Sequence, residues 1–199
     1  WTSLDVSGVT ALVVLLCQNN QLTSLDLSDN SGLTRLECYN NQLTSLDVSS
    51  NTAFSERLWC YNNQLTYLNM KNGVTDQLSS FNATSNSLTC IEVNADDIDY
   101  ATANWTYANG NIDAGVTFDV ICGAAARTNW HVASTGSDIT GSGTLASPLS
   151  SIQTAINAAT VGDTVSVAAG TYTENLVFGG KNLSLIGADS SNTIIDGDS

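Results

Sequence analysis

Hydrophobic and polar positions alternate in a short, repeating cycle along the first half of the chain. The template is L-x-x-L-x-(L/V/C)-x-x-N, and it recurs every 10 or 11 residues, with small insertions near Ser55 and before Leu78. The segments QLTSLDLSDN, QLTSLDVSSN and QLTYLNMKNG begin at positions 21, 42 and 64; between them lie LVVLLCQNN, LTRLECYNN and FSERLWCYNN. Two half-repeats make one period of roughly 21 residues, within the range of known repeat architectures. Leu22, Leu43 and Leu65 mark successive periods, and Cys17, Cys38 and Cys60 keep the same spacing. Nine half-repeats align, starting at Trp1, Leu12, Leu22, Leu33, Leu43, Phe54, Leu65, Leu78 and Leu88. Asn20, Asn30, Asn41, Asn51, Asn63 and Asn86 fill the last template position, and Val9, Gly73 and Asp96 replace it. Self-similarity at a fixed period is the sequence signature of a stacked repeat.

So short a half-repeat cannot hold both a helix and a strand, so each half predicts a short strand and a turn. Side chains alternate across a strand, so the L-x-L core of each half points inward and its neighbours outward. Stacking the halves alternately predicts a solenoid with two parallel sheets on either side of a thin Leu-rich core. Each template Asn is expected to turn the chain and bond backbone groups inside it. Such a stack buries little per repeat and needs capped ends.

The second half reads differently. Residues 150–159 form the one convincing helical stretch, with Ser150 or Ser151 as N-cap and Ile152, Ala155 and Ile156 on one face. Short strands are expected at 164–168, 175–178, 182–186 and 193–195, punctuated by Gly162, Gly170, Gly179, Gly180 and Gly187.

Residues 1–96 resemble the leucine-rich repeats with nested two-half periodicity found in secreted proteins of Bacteroidetes-type bacteria. The resemblance implies an adhesion or binding scaffold. From Trp130 the series GSD, SPLSSIQTAINAA, GDTVSV, GTYTEN, GKNLSLIG and TIIDG resembles the amino-terminal end of right-handed parallel β-helix proteins of the pectate-lyase-like superfamily. The expected organisation is therefore mainly β. A leucine-rich repeat solenoid spans 1–96, a disulfide-bonded capping and linker segment 97–128, and the helix and first coils of a parallel β-helix 129–199. Trp1 falls in mid-pattern without an initiator Met and Ser199 follows a fresh turn, so the chain reads as a piece of a longer mature protein.

Composition narrows the function. The 199 residues carry 5 Lys plus Arg against 19 Asp plus Glu, a net charge of −14, yet only 12% are charged and 42% are hydrophobic. That is too apolar for a disordered acidic tail. The five basic residues are scattered in sequence, which argues against nucleic acid or an anionic membrane as partner. No apolar run approaches the ~20 residues of a membrane span, so no membrane insertion is expected.

Cys17, Cys38 and Cys60 share the inward position and are expected to stack as buried, inert thiols. Cys90 and Cys122 instead bracket the segment where the repeat stops. That segment resembles the closing segment that follows such repeats in secreted flavobacterial proteins, with Trp105, Tyr107 and Phe118 available to cover an open core. The resemblance implies a Cys90–Cys122 disulfide and an extracellular setting; two free thiols are the alternative.

Candidate chemistry is sparse. His131 is the only histidine, with no Ser or Cys arranged around it, and no glycine-rich phosphate loop precedes a helix. Glu174, Lys181, Asp196 and Asp198 are the charged candidates of the second half. The β-helix resemblance makes the turns around Glu174 and Lys181 structural, so no catalytic residue is assigned. On one predicted sheet the outward positions are Leu16, Gln18, Glu37, Tyr39, Trp59 and Tyr61. Glu37, Tyr39, Trp59 and Tyr61 form a candidate ligand-binding face for a polysaccharide or a surface protein. On the other sheet Asp5, Asp26 and Asp47 form one column, with Ser7, Ser28 and Ser49 beside them. Their mutual repulsion is relieved either by a cation, for which Ca²⁺ fits, or by hydrogen bonds to the nearby hydroxyls, or simply by water. No other cofactor is implied. The leading expectation is a non-catalytic extracellular adhesion module. The alternatives are the front of a polysaccharide-degrading β-helix enzyme and a structural spacer.

Overall fold

A computed structural model describes residues 1–123 and 127–197. Its contacts divide the chain into two compact units, Trp1–Asp119 and Val120–Ser199. Both are mainly β with parallel strands.

The first unit is a leucine-rich-repeat-like stack. Strands β1 (Val14–Leu16), β2 (Arg35–Glu37), β4 (Arg57–Trp59) and β6 (Ser80–Asn82) pair side by side, all parallel. Strands β3 (Ser45–Asp47), β5 (Tyr67–Asn69), β7 (Cys90–Glu92) and β8 (Thr117–Asp119) form a second parallel sheet. These strands are very short, and the central residue of each faces the core. Leu36, Leu58, Leu46 and Leu68 are completely or almost completely buried. Full burial of such a side chain stabilises by about 1.5–3 kcal/mol, so the Leu columns supply the main cohesion. The half-repeats from Trp1 and Leu22 keep the pattern, burying Val6, Leu25 and Leu27, without becoming strands.

The template asparagines close each coil. Asn41 Nδ2 donates to the Cys17 and Cys38 carbonyls at 3.0 Å each, while its Oδ1 accepts from Leu22 N at 3.0 Å. Asn63 and Asn86 repeat the pattern in the coils that follow, and Asn30 and Asn51 serve the opposite turn. A short amide can satisfy carbonyls of two successive coils at once, which accounts for Asn at this position.

The stack ends differently from the expectation. A helix, α1 (Ile98–Asn104), forms where no helical stretch was read from sequence. Trp105 follows it and packs on Phe81 with ring centroids 4.2 Å apart, and on Phe118 at 6.0 Å. Tyr107, expected to help cover the core, instead stands 69% exposed. The helix covers the last coil through Ala101 and Trp105, both buried. Two apolar positions followed by a bulky aromatic gave too short a period to read in advance. Cys90 and Cys122 are disulfide-bonded. Cys17, Cys38 and Cys60 are free and buried in one column.

In the second unit β9 (Asn129–Val132), β10 (Thr164–Val167) and β12 (Ser184–Gly187) form one parallel sheet. Strands β11 (Gly170–Thr173) and β13 (Thr193–Asp196) form another. The strand expected at 175–178 is absent; its place is taken by β11, whose Tyr172 is buried. Helix α2 (Ile152–Ala158) begins after Ser151, whose hydroxyl accepts from Thr154 N at 3.2 Å. The core holds Trp130, Ile152, Ala155, Ile156, Val165 and Val167.

Candidate functional site

The candidate face is the outer surface of the β1-β2-β4-β6 sheet. Parallel register places residues of successive coils in rows. Val14, Arg35, Arg57 and Ser80 make one row; Leu16, Glu37, Trp59 and Asn82 make the next. Tyr39 and Tyr61 lie just beyond the strands, past Glu37 and Trp59. The structure thus brings Glu37, Tyr39, Trp59 and Tyr61 together, as their shared repeat positions require.

Their geometry departs from a simple exposed platform. The Tyr39 and Tyr61 rings stack on one another, centroids 4.5 Å apart and 6° from parallel. Trp59 meets both in T-shaped contacts at 6.2 Å. The Arg57 guanidinium lies over the Trp59 ring at 4.0 Å, and the indole N–H donates to Ser80 Oγ at 3.0 Å. The facing sides of the two tyrosines are therefore already occupied, and one Trp59 face carries a cation. Ring edges and the guanidinium N–H groups not engaged by Glu37 remain for a partner. Burial, together with the Tyr39 hydroxyl and the Glu37 charge, pushes the Tyr61 hydroxyl up from its ordinary value.

Glu37 is not an outward-reaching group. It is 5% exposed, and one of its oxygens receives Arg35 Nε at 3.0 Å, Arg35 Nη2 at 2.5 Å and Arg57 Nη1 at 2.8 Å. Burial alone would raise its pKa; the hydrogen bonds and charges of Arg57 and Arg35 outweigh that and hold the carboxyl below its usual value. Glu37 orders the two arginines rather than presenting itself. The sequence showed scattered basic residues; the register sets two of the five abreast, because Arg35 and Arg57 occupy one repeat position in successive coils.

A further feature went unread. Asn19, Asn40 and Asn62, the first residue of each NN pair, adopt left-handed backbone with φ of 58°, 57° and 55°. Asparagine tolerates that region better than most side chains. Asn62 Nδ2 donates to Asn40 Oδ1 at 2.6 Å, and Asn40 Nδ2 to Asn19 Oδ1 at 2.7 Å. This amide ladder borders the tyrosine stack. Its signal was the recurring NNQL itself.

The acidic column runs along the other side of the stack, Asp47 within β3 and Asp5 and Asp26 in half-repeats that form no strand. Asp5, Asp26 and Asp47 each turn one oxygen onto a nearby backbone N–H, that of Ser7, Ser28 and Ser49, at 2.9, 3.0 and 2.9 Å; Ser49 adds its hydroxyl to Asp47 at 2.6 Å. Such local bonds are the habit of Asp in turns. The Ser7 hydroxyl and N–H lower the Asp5 pKa, and the Ser28 N–H and hydroxyl lower that of Asp26. Among the described residues no group of three or more His, Cys, Asp or Glu is placed to hold a metal ion. Further along, Lys71 pairs with Glu92 at 3.0 Å, and Tyr67 donates to Glu92 at 3.3 Å.

Glu174 and Lys181 of the second unit hold the two ends of its helix. Both Glu174 oxygens accept from the first backbone N–H groups of α2, Ile152 and Gln153, at 2.8 Å each. Lys181 Nζ donates to the Ile156, Asn157 and Ala159 carbonyls at its other end, at 3.0, 2.7 and 2.9 Å. A carboxylate at the start and an ammonium at the end match the helix dipole. Asp163 accepts from Trp130 Nε1 and from Thr160; burial would raise its pKa, but these bonds, with the Lys181 charge, lower it. His131 lines a cleft of about 450 Å³ with Leu145, Pro148, Ser166 and Ile186. Asp196 is the last residue of β13, and Asp198 lies outside the described residues.

The chain matches no protein-family model and no curated protein sequence. Among solved structures it is similar to the functional domain of InlJ from Listeria monocytogenes, which includes a cysteine ladder. Identity is 18% and the TM-score 0.41, and the match covers 94% of this chain and 32% of that one. The chain thus spans about a third of the length of that structure. These comparisons lend no support to a Bacteroidetes-type or pectate-lyase-like relationship. No helix among the described residues is long and apolar enough to cross a membrane.

Proposed function

We propose that the first unit is an extracellular binding module whose first sheet recognises a protein partner through its outer face. The observation that carries this is the cluster of Tyr39, Tyr61, Trp59, Arg35 and Arg57 on a rigid sheet. Tyrosine, tryptophan and arginine are the residues enriched where protein interfaces concentrate their energy. Exposed Val14 and Leu16 adjoin the cluster and extend its apolar area. A glycan partner is the less favoured ligand, because the rings it would stack on already stack on each other. The disulfide at Cys90 and Cys122 supports an oxidising, extracellular location.

For the second unit, two parallel sheets and a capped helix support its reading as the first coils of a parallel β-helix. With Glu174 and Lys181 committed to the ends of α2, the binding reading stands ahead of an enzymatic one.

The test is retention of the whole chain on arrays of purified extracellular proteins and of polysaccharides. The Trp59→Ala/Tyr61→Ala variant is run beside it, with folding checked by circular dichroism. Retention on a protein, lost in the folded variant, supports the reading. Unchanged retention by the variant, or retention on polysaccharides alone, overturns it.

A further inference from the structure

The outer face of the first sheet differs in charge from the rest of the molecule. Over its two outward strand-borne rows and the tyrosine row, the charged residues are Arg35, Arg57 and Glu37. The others are Val14, Leu16, Gln18, Tyr39, Trp59, Tyr61, Ser80, Asn82 and Thr84. One carboxylate against two guanidiniums leaves this face at 2 − 1 = +1, so the rest of the −14 chain stands at −15. Glu56 flanks the face, and its carboxylate accepts the Thr34 hydroxyl at 3.2 Å.

The two guanidiniums are also only partly used. All three of their bonds to Glu37 converge on one oxygen, leaving further N–H groups on each arginine. Both side chains are about a third exposed, at 32% and 33%. A guanidinium presents five donors in a planar fork suited to a carboxylate. Here the fork positions are fixed in advance, Arg35 by Glu37 and Arg57 by Glu37 and the Trp59 ring. Pre-organised donors lose less freedom on binding.

We infer that the partner of this face is a protein segment that delivers an Asp or Glu carboxylate to the Arg35–Arg57 pair, between apolar side chains that pack on Leu16, Val14 and Trp59. This rests on the sheet-face reading above and adds the chemistry of the partner. Charge complementarity selects the acidic group: a basic segment would meet the surplus guanidinium charge here, while the opposite sheet carries the carboxylates. The apolar side chains of β1 beside the pair select a peptide over an acidic polysaccharide, which offers no aliphatic side chains to cover Val14 and Leu16.

The probe is a displayed library of short random peptides, selected on the whole chain at about physiological salt. Sodium polygalacturonate serves as the acidic-glycan control. The expected result is enrichment of peptides with Asp or Glu flanked by apolar residues. Their affinity should fall about tenfold or more in Arg35→Gln/Arg57→Gln, the loss of a charge-assisted contact, and weaken with rising salt. Arg57→Lys, which keeps the charge and removes the fork, should also bind more weakly; it guards against misfolding of the double variant.

Failure to enrich acidic peptides overturns the inference, as does equal binding by the folded arginine variants or equal affinity for polygalacturonate. Peptides that depend on Trp59 but not on the arginines overturn the carboxylate contact and leave the sheet-face reading standing. Peptides indifferent to both overturn the two together.

Discussion

The two sheets of the first unit share one repeat and one core yet present opposite surfaces. Inward, both offer Leu columns that are fully buried at Leu36, Leu58, Leu46 and Leu68. Outward, one shows stacked aromatics, apolar residues and a guanidinium pair. The other carries Asp47, Asn69, Glu92 and Asp119 in one row, with Glu92 buried and paired to Lys71. Because side chains alternate along a strand, the inward residue fixes the fold and the outward one is free to vary. The difference teaches that in this stack cohesion and recognition are written at separate positions. Register multiplies whatever stands at an outward position into a column.

The largest test of that separation is in the core. Leu58→Ala and Leu68→Ala, one from each sheet, should each destabilise by about 2–5 kcal/mol. Denaturant melts should give similar losses; a large asymmetry would mean that the sheets do not share one core. Asn41→Ala should come next, at about 1–3 kcal/mol, because it leaves buried backbone groups of two coils without partners. A loss no greater than that of exposed Gln42→Ala would show that the asparagine turns do not hold the coils.

Acid should separate the faces. The Glu37 pKa is depressed on folding, so its contribution is present above the unfolded value of about 4.3 and is lost as pH falls through the folded one. Glu37→Gln should flatten that part of the stability curve, measured by thermal melts below about pH 5. An unchanged acid slope in the variant would remove Glu37 from the account. The smallest effect belongs to the acidic sheet. Asp26→Asn should change stability by no more than about 0.5 kcal/mol, and millimolar Ca²⁺ should leave the melting temperature unmoved. A Ca²⁺-dependent rise, lost in Asp26→Asn, would restore a cation to that column.

Much of this was legible in the chain. Leu22, Leu43 and Leu65, and the cysteines at their own spacing, gave the coil period. Tyr39, Trp59 and Tyr61 gave the face. What was hidden lay in interactions between residues of similar repeat position. Arg35 and Arg57 looked scattered because a full coil of sequence lies between them, although in space they are neighbours on adjacent strands. Glu37 looked exposed because alternation gives the direction of a side chain but not what covers it. The turn bonds of the aspartates to the backbone N–H groups of Ser7, Ser28 and Ser49 leave no mark in the spacing. Helix α1 was unread because, unlike α2 of the same length with its Ser151 cap, it starts without a side-chain cap and carries few apolar positions.

The most direct measurement is a pairwise comparison of binding by the two faces. Trp59→Ala/Tyr61→Ala and Asp26→Asn/Asp47→Asn should be titrated against the same retained protein, both variants folded. Recognition by the first sheet predicts that binding is lost with the aromatic pair and is unchanged with the aspartate pair. Loss with the aspartates and retention without the aromatics would place recognition on the opposite sheet and contradict it.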